Sequence, residues 1–214
     1  MSDRTQVTRL REKVRTDRAE LDALLDATLL GHFGLVDAEG RPMVIPTAIV
    51  RDGDRVLLHG STGSHWMRTL AGGAPTCLTV TALDGYVVAR SAFESSLHYR
   101  SAVLFGSCAR VPDDEVEAAL DRITERLLPG RTAEVRRPQR KELEATLVLA
   151  LPIEEWSLKV SDGWPDDPAE DVAGDAWGGV VPLVSGYGAP RAAPDLRDGI
   201  GVPASVLRLG QAGR

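Results

Sequence analysis

The sequence predicts a mainly β protein, a small antiparallel β-barrel with about three α-helices inserted between its strands. Short apolar segments follow one another closely between residues 31 and 111, and turns rich in Gly and Asp separate them. Two longer segments carry apolar residues at helical spacing. The segments do not alternate regularly as strand, helix and strand, which is the pattern of a parallel sheet.

Three helices are expected from their start and stop signals. The first begins at the cap residue Asp17, has an acid three residues later, and continues to about Leu29. A short helix is expected over residues 64–71. A third, amphipathic helix opens at the acidic segment 112–115 and stops before Pro129. The apolar faces are formed by Leu21, Leu24, Leu25 and Thr28 in the first helix and by Val116, Leu120, Ile123 and Leu127 in the third.

The strands are expected where short apolar runs lie between turn residues. They cover residues 31–36, 43–50, 55–59, 75–82, 86–89, 99–111, 146–151 and 155–160. The segment 51–54 is a hairpin turn signal, and Asp84 with Gly85 is interpreted as a simple turn. Gly106, inside the longest run, predicts a bulge or a bend there.

The amino-acid composition limits the classes of protein to which this chain can belong. The 214 residues are 43% hydrophobic and 26% charged, which is typical of a globular domain that buries its own core. No apolar run approaches the roughly 20 residues that span a bilayer, and the Arg-rich N-terminus lacks the apolar core of a signal peptide. The net charge of −6 disfavours a nucleic-acid surface. We therefore expect a cytoplasmic protein with no membrane or nucleic-acid partner.

The composition changes after Ser161. Residues 1–161 carry the predicted helices and strands and are expected to form one domain, including the N-terminal helix. Residues 162–214 are rich in Gly, Pro, Ala and Asp, and residues 180–184 are their only apolar cluster. We expect this extension to pack on the barrel or on a partner subunit, and a disordered tail is the alternative.

The chain has two cysteines, Cys77 and Cys108, and each lies within a strand-like apolar run. This placement favours buried free thiols that pack as small hydrophobic groups. Neither a disulfide scaffold nor a thiolate metal site is expected from two cysteines at this spacing.

A loop dense in hydrogen-bond donors, here named the donor loop (residues 59–68), joins the strand at 55–59 to the short helix. It contains His59, Gly60, Ser61, Thr62, Gly63, Ser64, His65 and Arg68. Glycines let a backbone approach an oxyanion, and hydroxyls and backbone N–H groups at a helix N-terminus donate to it. The guanidinium of Arg68 can add charge. The loop fits a phosphate site; a simple capped loop, which uses the same residue types, is the alternative.

Other chemistries fit the sequence less well. The donor loop lacks the Gly-Lys-Ser/Thr of a Walker loop and the spaced glycines of a dinucleotide fingerprint. His59, His65 and His98 have no cysteine or carboxylate beside them at ligand spacing, so no metal site is expected. Ser61 and Ser64 do not lie in a nucleophile elbow, which disfavours a Ser/His hydrolase.

The order of these segments resembles a known family. It is similar to the flavin-nucleotide-binding proteins of the pyridoxamine 5′-phosphate oxidase-like split-barrel superfamily, in the branch that includes nitroimidazole-resistance proteins. The order and spacing of the matching stretches agree over most of the chain. These stretches are HFGLV (32–36), PMVIPT (42–47), RDGDRVLLHGS (51–61), YRSAVLFG (99–106) and WGGVVPL (177–183).

The resemblance implies a split β-barrel of the FMN-binding type that forms a homodimer with two FMN sites at the subunit interface. Residues 59–64 would then hold the phosphate and the ribityl chain. The segment 99–101 would contact the cofactor, either within its own subunit or from the partner subunit. The further residues that the resemblance assigns are Thr47 near the isoalloxazine ring, Tyr99, Arg100 and Ser101 at the cofactor, and Trp156 and Lys159 at the border of the site.

One residue departs from the family pattern. Relatives usually carry Arg or Lys where this chain has His65. A histidine is only partly charged at neutral pH, so it neutralises a phosphate less completely. Unless Arg68 takes over that role, FMN affinity is expected to be weaker and to depend on pH.

The resemblance leaves two classes of function open. The first is an FMN-dependent oxidoreductase that reduces a small electrophile, such as a nitroaromatic or a quinone, or oxidises an amine. The second is a non-catalytic flavin- or heme-binding protein, and a deazaflavin (F420) is an alternative cofactor. A flavin supplies its own redox chemistry, so the catalytic residues stay unassigned. Pyridoxamine phosphate is a less favoured substrate because no convincing basic C-terminal motif is present to bind its phosphate.

Overall fold

The structure, a computed structural model, describes residues 3–5 and 9–210 and consists mainly of antiparallel β-strands. The described strands are β1 (Val14–Arg15), β2 (Leu30–Val36), β3 (Pro42–Ala48), β4 (Val50–Asp52), β5 (Arg55–Ser61), β6 (Pro75–Val88), β7 (Ser96–Ser107), β8 (Ala109–Arg110), β9 (Thr146–Pro152), β10 (Glu155–Ser161) and β11 (Gly179–Pro182). The described α-helices are α1 (Arg18–Ala27), α2 (His65–Ala71), α3 (Val116–Leu127), α4 (Arg140–Glu144), α5 (Ala169–Val172) and α6 (Ala204–Leu209). The predicted mainly β class is confirmed, and three of the six helices have seven or more residues.

The strands form two sheets, and the chain passes from one sheet to the other. The larger sheet has the order β1-β10-β7-β6-β2-β3, and β11 also pairs with β6. The smaller sheet has the order β4-β5-β9-β8. The chain leaves the larger sheet for the smaller one at Ile49, between β3 and β4, and again at Cys108, between β7 and β8. Both crossing residues are buried, so each crossing also contributes a side chain to the interior.

Two apolar clusters hold the sheets and helices together. The main core lies between the two sheets and includes Phe33, Leu58, Leu78 and Leu104, with side chains from α1 and α2. The second cluster joins the opposite face of the smaller sheet to α3. Strand β9 and the middle of β5 are therefore covered on both faces, which explains why β9 is buried over five consecutive residues.

Helix α1 forms where its sequence signals place it. The Asp17 side chain accepts a hydrogen bond from the backbone N–H of Ala19 at 2.9 Å, and so caps the helix. Leu21, Leu24 and Leu25 are buried in the main core, as their spacing predicts. The helix ends at Ala27 instead of Leu29, because the backbone of the next residue is extended and leads directly into β2.

Two predicted strands are each divided by a crossing. The strand predicted over residues 43–50 is interrupted at Ile49, so its last residue belongs to the smaller sheet. The strand predicted over residues 99–111 starts earlier and breaks at Cys108. The bend predicted within this run is found at Cys108, whereas Gly106 itself lies within β7 opposite Thr76.

Two other predicted strands join into one. Residues 75–82 and 86–88 belong to the continuous strand β6, whose register against β7 shifts between Leu83 and Gly85. The turn predicted at Asp84 and Gly85 was therefore wrong. A Cβ atom on Gly85 would lie 2.6 Å from the carbonyl oxygen of Val181, so this glycine allows β11 to approach closely.

The C-terminal segment contacts the rest of its own chain at several points. The backbone N–H and Nη1 of Arg90 donate to the buried carboxylate of Asp167, at 2.7 and 2.8 Å. Further along, the backbone N–H and hydroxyl of Ser205 donate to Glu134, at 3.0 and 2.5 Å. The domain boundary at residue 161 stays a prediction. Residues 1–2, 6–8 and 211–214 of the two predicted domains lie outside the described residues.

Both cysteines are free thiols in the structure. Cys108 is buried, and burial raises the pKa of its thiol to about 12. Cys77 is only partly buried, so the predicted burial holds fully for Cys108 alone. Among the described residues, no helix combines the length and the apolar character needed to cross a membrane.

Candidate functional site

The donor loop is a strand, a tight turn and a helix start, as predicted. Strand β5 ends at Ser61 and α2 begins at His65. The hydroxyl oxygen of Ser61 accepts a hydrogen bond from the N–H of Gly63 at 3.1 Å, and its carbonyl accepts one from the N–H of Ser64 at 3.0 Å. The N–H of Thr62 donates to the carbonyl of Ala145 at 3.0 Å, which ties the turn to the start of β9.

Arg68 stabilises the turn from the first part of α2. Its Nη1 donates to the carbonyls of Thr62 and Gly63, at 3.1 and 2.7 Å. The side chain is exposed, and within the described part of the chain its Nε and Nη2 take part in no recorded hydrogen bond. Arg68 therefore stabilises the loop through Nη1, while Nε, Nη2 and the positive charge remain available beside the loop.

The loop hydroxyls are available to a ligand. Ser61 uses its oxygen as an acceptor, so its O–H proton can still be donated. The side chain of Ser64 occupies the N-cap position of α2 but makes no capping hydrogen bond. His65 is the first residue of α2, and its side chain is exposed. These groups match the chemistry of a phosphate, which accepts several hydrogen bonds at once.

Two residues at the start of the donor loop have structural roles. A Cβ atom on Gly60 would lie 2.9 Å from Cγ of Met67, so the glycine allows α2 to pack closely on β5. His59 shares a face of β5 with Leu57, which packs in the second cluster, because side chains alternate along a strand. Its Nδ1 is buried without a hydrogen-bond partner, and burial lowers the pKa of this imidazole. A buried imidazole that disfavours its charged form is poorly suited to neutralise a phosphate.

Thr47 lies on β3, opposite Gly31 of β2. The alternation of side chains along the strand places it on the same face as Met43 and Ile45, which pack against the main core. Thr47 is half-buried, so it lies at the inner face of the larger sheet near the crossing to the smaller one.

The segment 99–101 lies on β7, in the larger sheet, whereas the donor loop leaves the smaller sheet. Arg100 donates through Nε and Nη2 to the two carboxylate oxygens of Asp84, at 2.9 and 2.7 Å. This hydrogen bonding raises the pKa of Arg100. Asp84 was missed in the sequence because it was interpreted as a turn residue. The register shift in β6 places Asp84 within reach of Arg100.

The predicted border residues lie on the strand next to that segment. Lys159 is opposite Ser101 across the β10–β7 pair, and Trp156 is opposite Leu104. Trp156 packs against the main core. The structure therefore brings Ser101 and Lys159 together, while the donor loop forms a separate group on the other sheet.

A cavity of about 610 Å³ lies beside the donor loop. Thr62 lines it together with residues from β8, the segment before α3, α3 itself, α4 and β9. No sequence motif predicted this cavity, because its walls come from three separate parts of the chain.

Comparison with known proteins identifies the class of this fold. The family model described as pyridoxamine 5′-phosphate oxidase matches residues 17–160. The structure is similar to that of the FAD and heme binding protein from Mycobacterium smegmatis, with 53% identity, a TM-score of 0.89, and coverage of 92% of this chain and 97% of that chain. It is also similar to the flavocytochrome Anf3 from Azotobacter vinelandii, with 38% identity, a TM-score of 0.90 and 97% coverage of both chains.

A more distant structure shares the fold. A 5-nitroimidazole antibiotic resistance protein from Bacteroides thetaiotaomicron, described as putative, is 20% identical, with a TM-score of 0.57 over 69% of this chain and 86% of that chain. The comparison with curated proteins gives no significant match. The fold is a split β-barrel, and the chain belongs to the pyridoxamine 5′-phosphate oxidase family. The resemblance seen in the sequence is confirmed.

Proposed function

We propose that this chain binds a flavin and that the donor loop holds the flavin phosphate. The observation that carries the proposal is the 53% identity, over nearly all of both chains, to a protein described as binding FAD and heme. The loop fits the group: Ser61 and Ser64 have hydroxyls that can donate, and Arg68 keeps part of its guanidinium free. Both FMN, which the sequence led us to expect, and FAD present phosphate oxygens to such a loop.

The first test identifies the cofactor in the purified protein. We expect the flavin absorption bands in its spectrum, and mass spectrometry after denaturation should then identify FMN, FAD or F420. Apoprotein that takes up none of these cofactors would contradict the proposal. In tests that remove hydroxyls of the donor loop, Thr69→Ala is the control variant, because the Thr69 hydroxyl is already donated to the carbonyl of His65 at 3.1 Å.

We further propose that the chain binds heme. Two similar structures above 30% identity are described as a FAD and heme binding protein and as a flavocytochrome. Heme iron is commonly held by histidine. The rings of His32 and His65 are exposed, and neither makes a recorded hydrogen bond or ion pair within the described part of the chain. His98, in contrast, is paired with the carbonyl of Gly163 at 2.7 Å.

Hemin titration of the four single His→Ala variants tests this second proposal. Wild-type protein should develop a Soret band at one heme per chain, and one variant should lose or shift that band. If hemin gives the same spectrum with wild-type protein and with bovine serum albumin as an unspecific binder, heme binding by this chain is refuted.

A bound flavin accepts one or two electrons and heme iron accepts one, so the two groups together would make the chain a redox protein. We therefore propose an oxidoreductase that reduces a small electrophile or oxidises an amine. Bleaching of the flavin by NADH or NADPH, followed by reoxidation with a nitroaromatic or a quinone, tests this activity. A flavin that neither donor nor substrate changes would favour a non-catalytic binding protein.

We propose that the protein is a homodimer with sites completed across the interface. The outward face of β2 and β3 supports this, since Leu30, Val36 and Val44 are 52%, 54% and 64% exposed there. Monomers rarely expose large contiguous apolar patches. A two-fold dimer uses one patch twice and so creates two equivalent sites.

A mixed dimer tests whether the sites are shared. A chain carrying Ser61→Ala and Ser64→Ala is combined with a chain carrying Arg100→Ala. If the sites are shared, one site of each heterodimer carries both lesions and the other carries neither, so about half of the sites should bind flavin normally. A monomer that binds flavin fully, or a heterodimer without a normal site, would refute the arrangement.

A further inference from the structure

The C-terminal segment contains a stretch that is fixed at both ends and exposed between them. At one end, β11 pairs with β6, and the N–H of Leu183 donates to the carbonyl of Asp84 at 2.9 Å. At the other end, the fully buried Ser205 donates two hydrogen bonds to Glu134. Residues 183–202 lie between these anchors and are here named the strap.

Every residue of the strap is exposed, although several of its side chains are large and apolar. Val184 is 85% exposed and Tyr187 is 58% exposed. Beyond Leu183, no strap residue makes a recorded hydrogen bond or ion pair with the rest of the described chain. The exposed apolar side chains of the strap are Leu183, Val184, Tyr187, Leu196, Ile200 and Val202. Exposed apolar surface of this extent is typical of a site that another molecule covers.

The outward face of the larger sheet leads directly into the strap. One group of exposed apolar side chains on this face lies on β2 and β3 and supports the proposed homodimer. A second group consists of Val181, Tyr86 and Leu97, which lie opposite one another across β11, β6 and β7. Strand pairing and the alternation of side chains connect the two groups along one face, through His32, Thr79, Val103 and Leu97. A partner that covers this face therefore reaches β11, where the strap begins.

We propose that the strap lies against a second copy of this chain. The inference rests on the proposed homodimer and adds to its interface a segment outside residues 17–160, which the family model matches. A standard protein interface uses about 20–30 residues on each side, and the strap alone reaches the lower end of that range.

The charge of the strap favours a second copy as its partner. Its charged residues are Arg191, Asp195, Arg197 and Asp198, so its formal charge is zero, whereas the whole chain carries −6. A neutral segment approaches a negatively charged copy without net repulsion. It also lacks the excess of positive charge that attracts nucleic acid or an anionic membrane.

Photo-crosslinking of the full-length protein tests the position of the strap. The photoreactive amino acid p-benzoylphenylalanine replaces Tyr187 in one preparation and Ile200 in another. Irradiation should join two chains, so a band of twice the chain mass should appear on a denaturing gel. The same amino acid at Val135, an exposed side chain outside the strap, is the control and should give little of this band.

A pair of substitutions measures how much the strap stabilises the dimer. Val184→Asp with Ile200→Asp places two charges where apolar contacts are expected, and should raise the dissociation constant of the dimer at least about tenfold in sedimentation. Val135→Asp with Val172→Asp adds the same charge at two exposed positions outside the strap, and should change this constant by less than about twofold.

The outcomes separate the strap contact from the homodimer itself. Crosslinks confined to single chains, in a protein that sediments as a dimer, would overturn the inference and leave the homodimer intact. An unchanged dissociation constant in the strap variant, or equal crosslinking from the control position, would also overturn it. Sedimentation of the wild-type protein as a monomer would instead refute the proposed homodimer, and the strap contact with it.

Discussion

The donor loop and the segment 99–101 both carry predicted cofactor contacts, but different contacts hold them in place. The loop is stabilised mostly by bonds within ten residues, such as those from Gly63 to Ser61 and from Arg68 to Thr62, and its hydroxyls remain available. In the segment 99–101, Arg100 is engaged by both oxygens of Asp84. The comparison shows that residue type alone does not decide which donors a ligand can use.

The largest effect is expected from the loop hydroxyls. Ser61→Ala combined with Ser64→Ala removes two donors to the phosphate, each worth about 1.5–3 kcal/mol when the acceptor is charged. FMN affinity should fall at least about tenfold in titrations of apoprotein. Unchanged affinity in this variant, with Thr69→Ala as the control, would show that the phosphate is bound elsewhere.

A smaller effect is expected at Arg100, because Asp84 already compensates part of its charge. Arg100→Ala should lower FMN affinity by about threefold to tenfold, and Asp84→Asn should raise it by about twofold to threefold, since the guanidinium then faces a neutral neighbour. Isothermal titration of both variants measures these changes. A loss in Arg100→Ala as large as that of the serine variant would remove the distinction between the two regions.

The variant His65→Arg tests whether His65 lies beside the bound phosphate. A nearby phosphate favours the charged imidazolium, so FMN affinity of the wild-type protein should decrease as the pH rises from about 6 to 8. A guanidinium stays charged over this range, so the variant should bind a few-fold more tightly at about pH 8 and show a flat profile. Parallel profiles of the two proteins would place His65 away from the phosphate.

The smallest effect is expected on thermal stability at acidic pH, when His59 is replaced. Burial lowers the pKa of this imidazole below its ordinary value of 6.5, so the unfolded state binds more protons as the pH falls. The contribution of His59 to stability is therefore complete above about pH 6.5 and is lost as the pH decreases through the lowered pKa. His59→Gln should show a drop in Tm on acidification that is smaller than that of wild type by about a few degrees.

Thermal unfolding between about pH 7 and 5 measures this difference. His32→Gln is the matched control, because the His32 side chain is exposed. If the control reduces the acid sensitivity as much as His59→Gln does, the burial of His59 is not its cause.

The sequence by itself determined the features that depend on near neighbours. The cap at Asp17, the apolar spacing of Leu21, Leu24 and Leu25, and the strand, turn and helix of the donor loop all formed as predicted. Each depends on hydrogen bonds or periodicity within about one or two helical turns, and such signals are present in any short stretch of sequence.

The tertiary structure alone decided the features that depend on distant partners. Pairing with β7 keeps β6 continuous over most of two predicted strands, and the register shift between Leu83 and Gly85 places Asp84 beside Arg100. The crossings at Ile49 and Cys108 divided two other predicted strands between the sheets. In each case the outcome depends on which remote segment covers an apolar face or accepts a hydrogen bond. That depends on packing across the whole barrel, so the residues next to it in the chain do not reveal it.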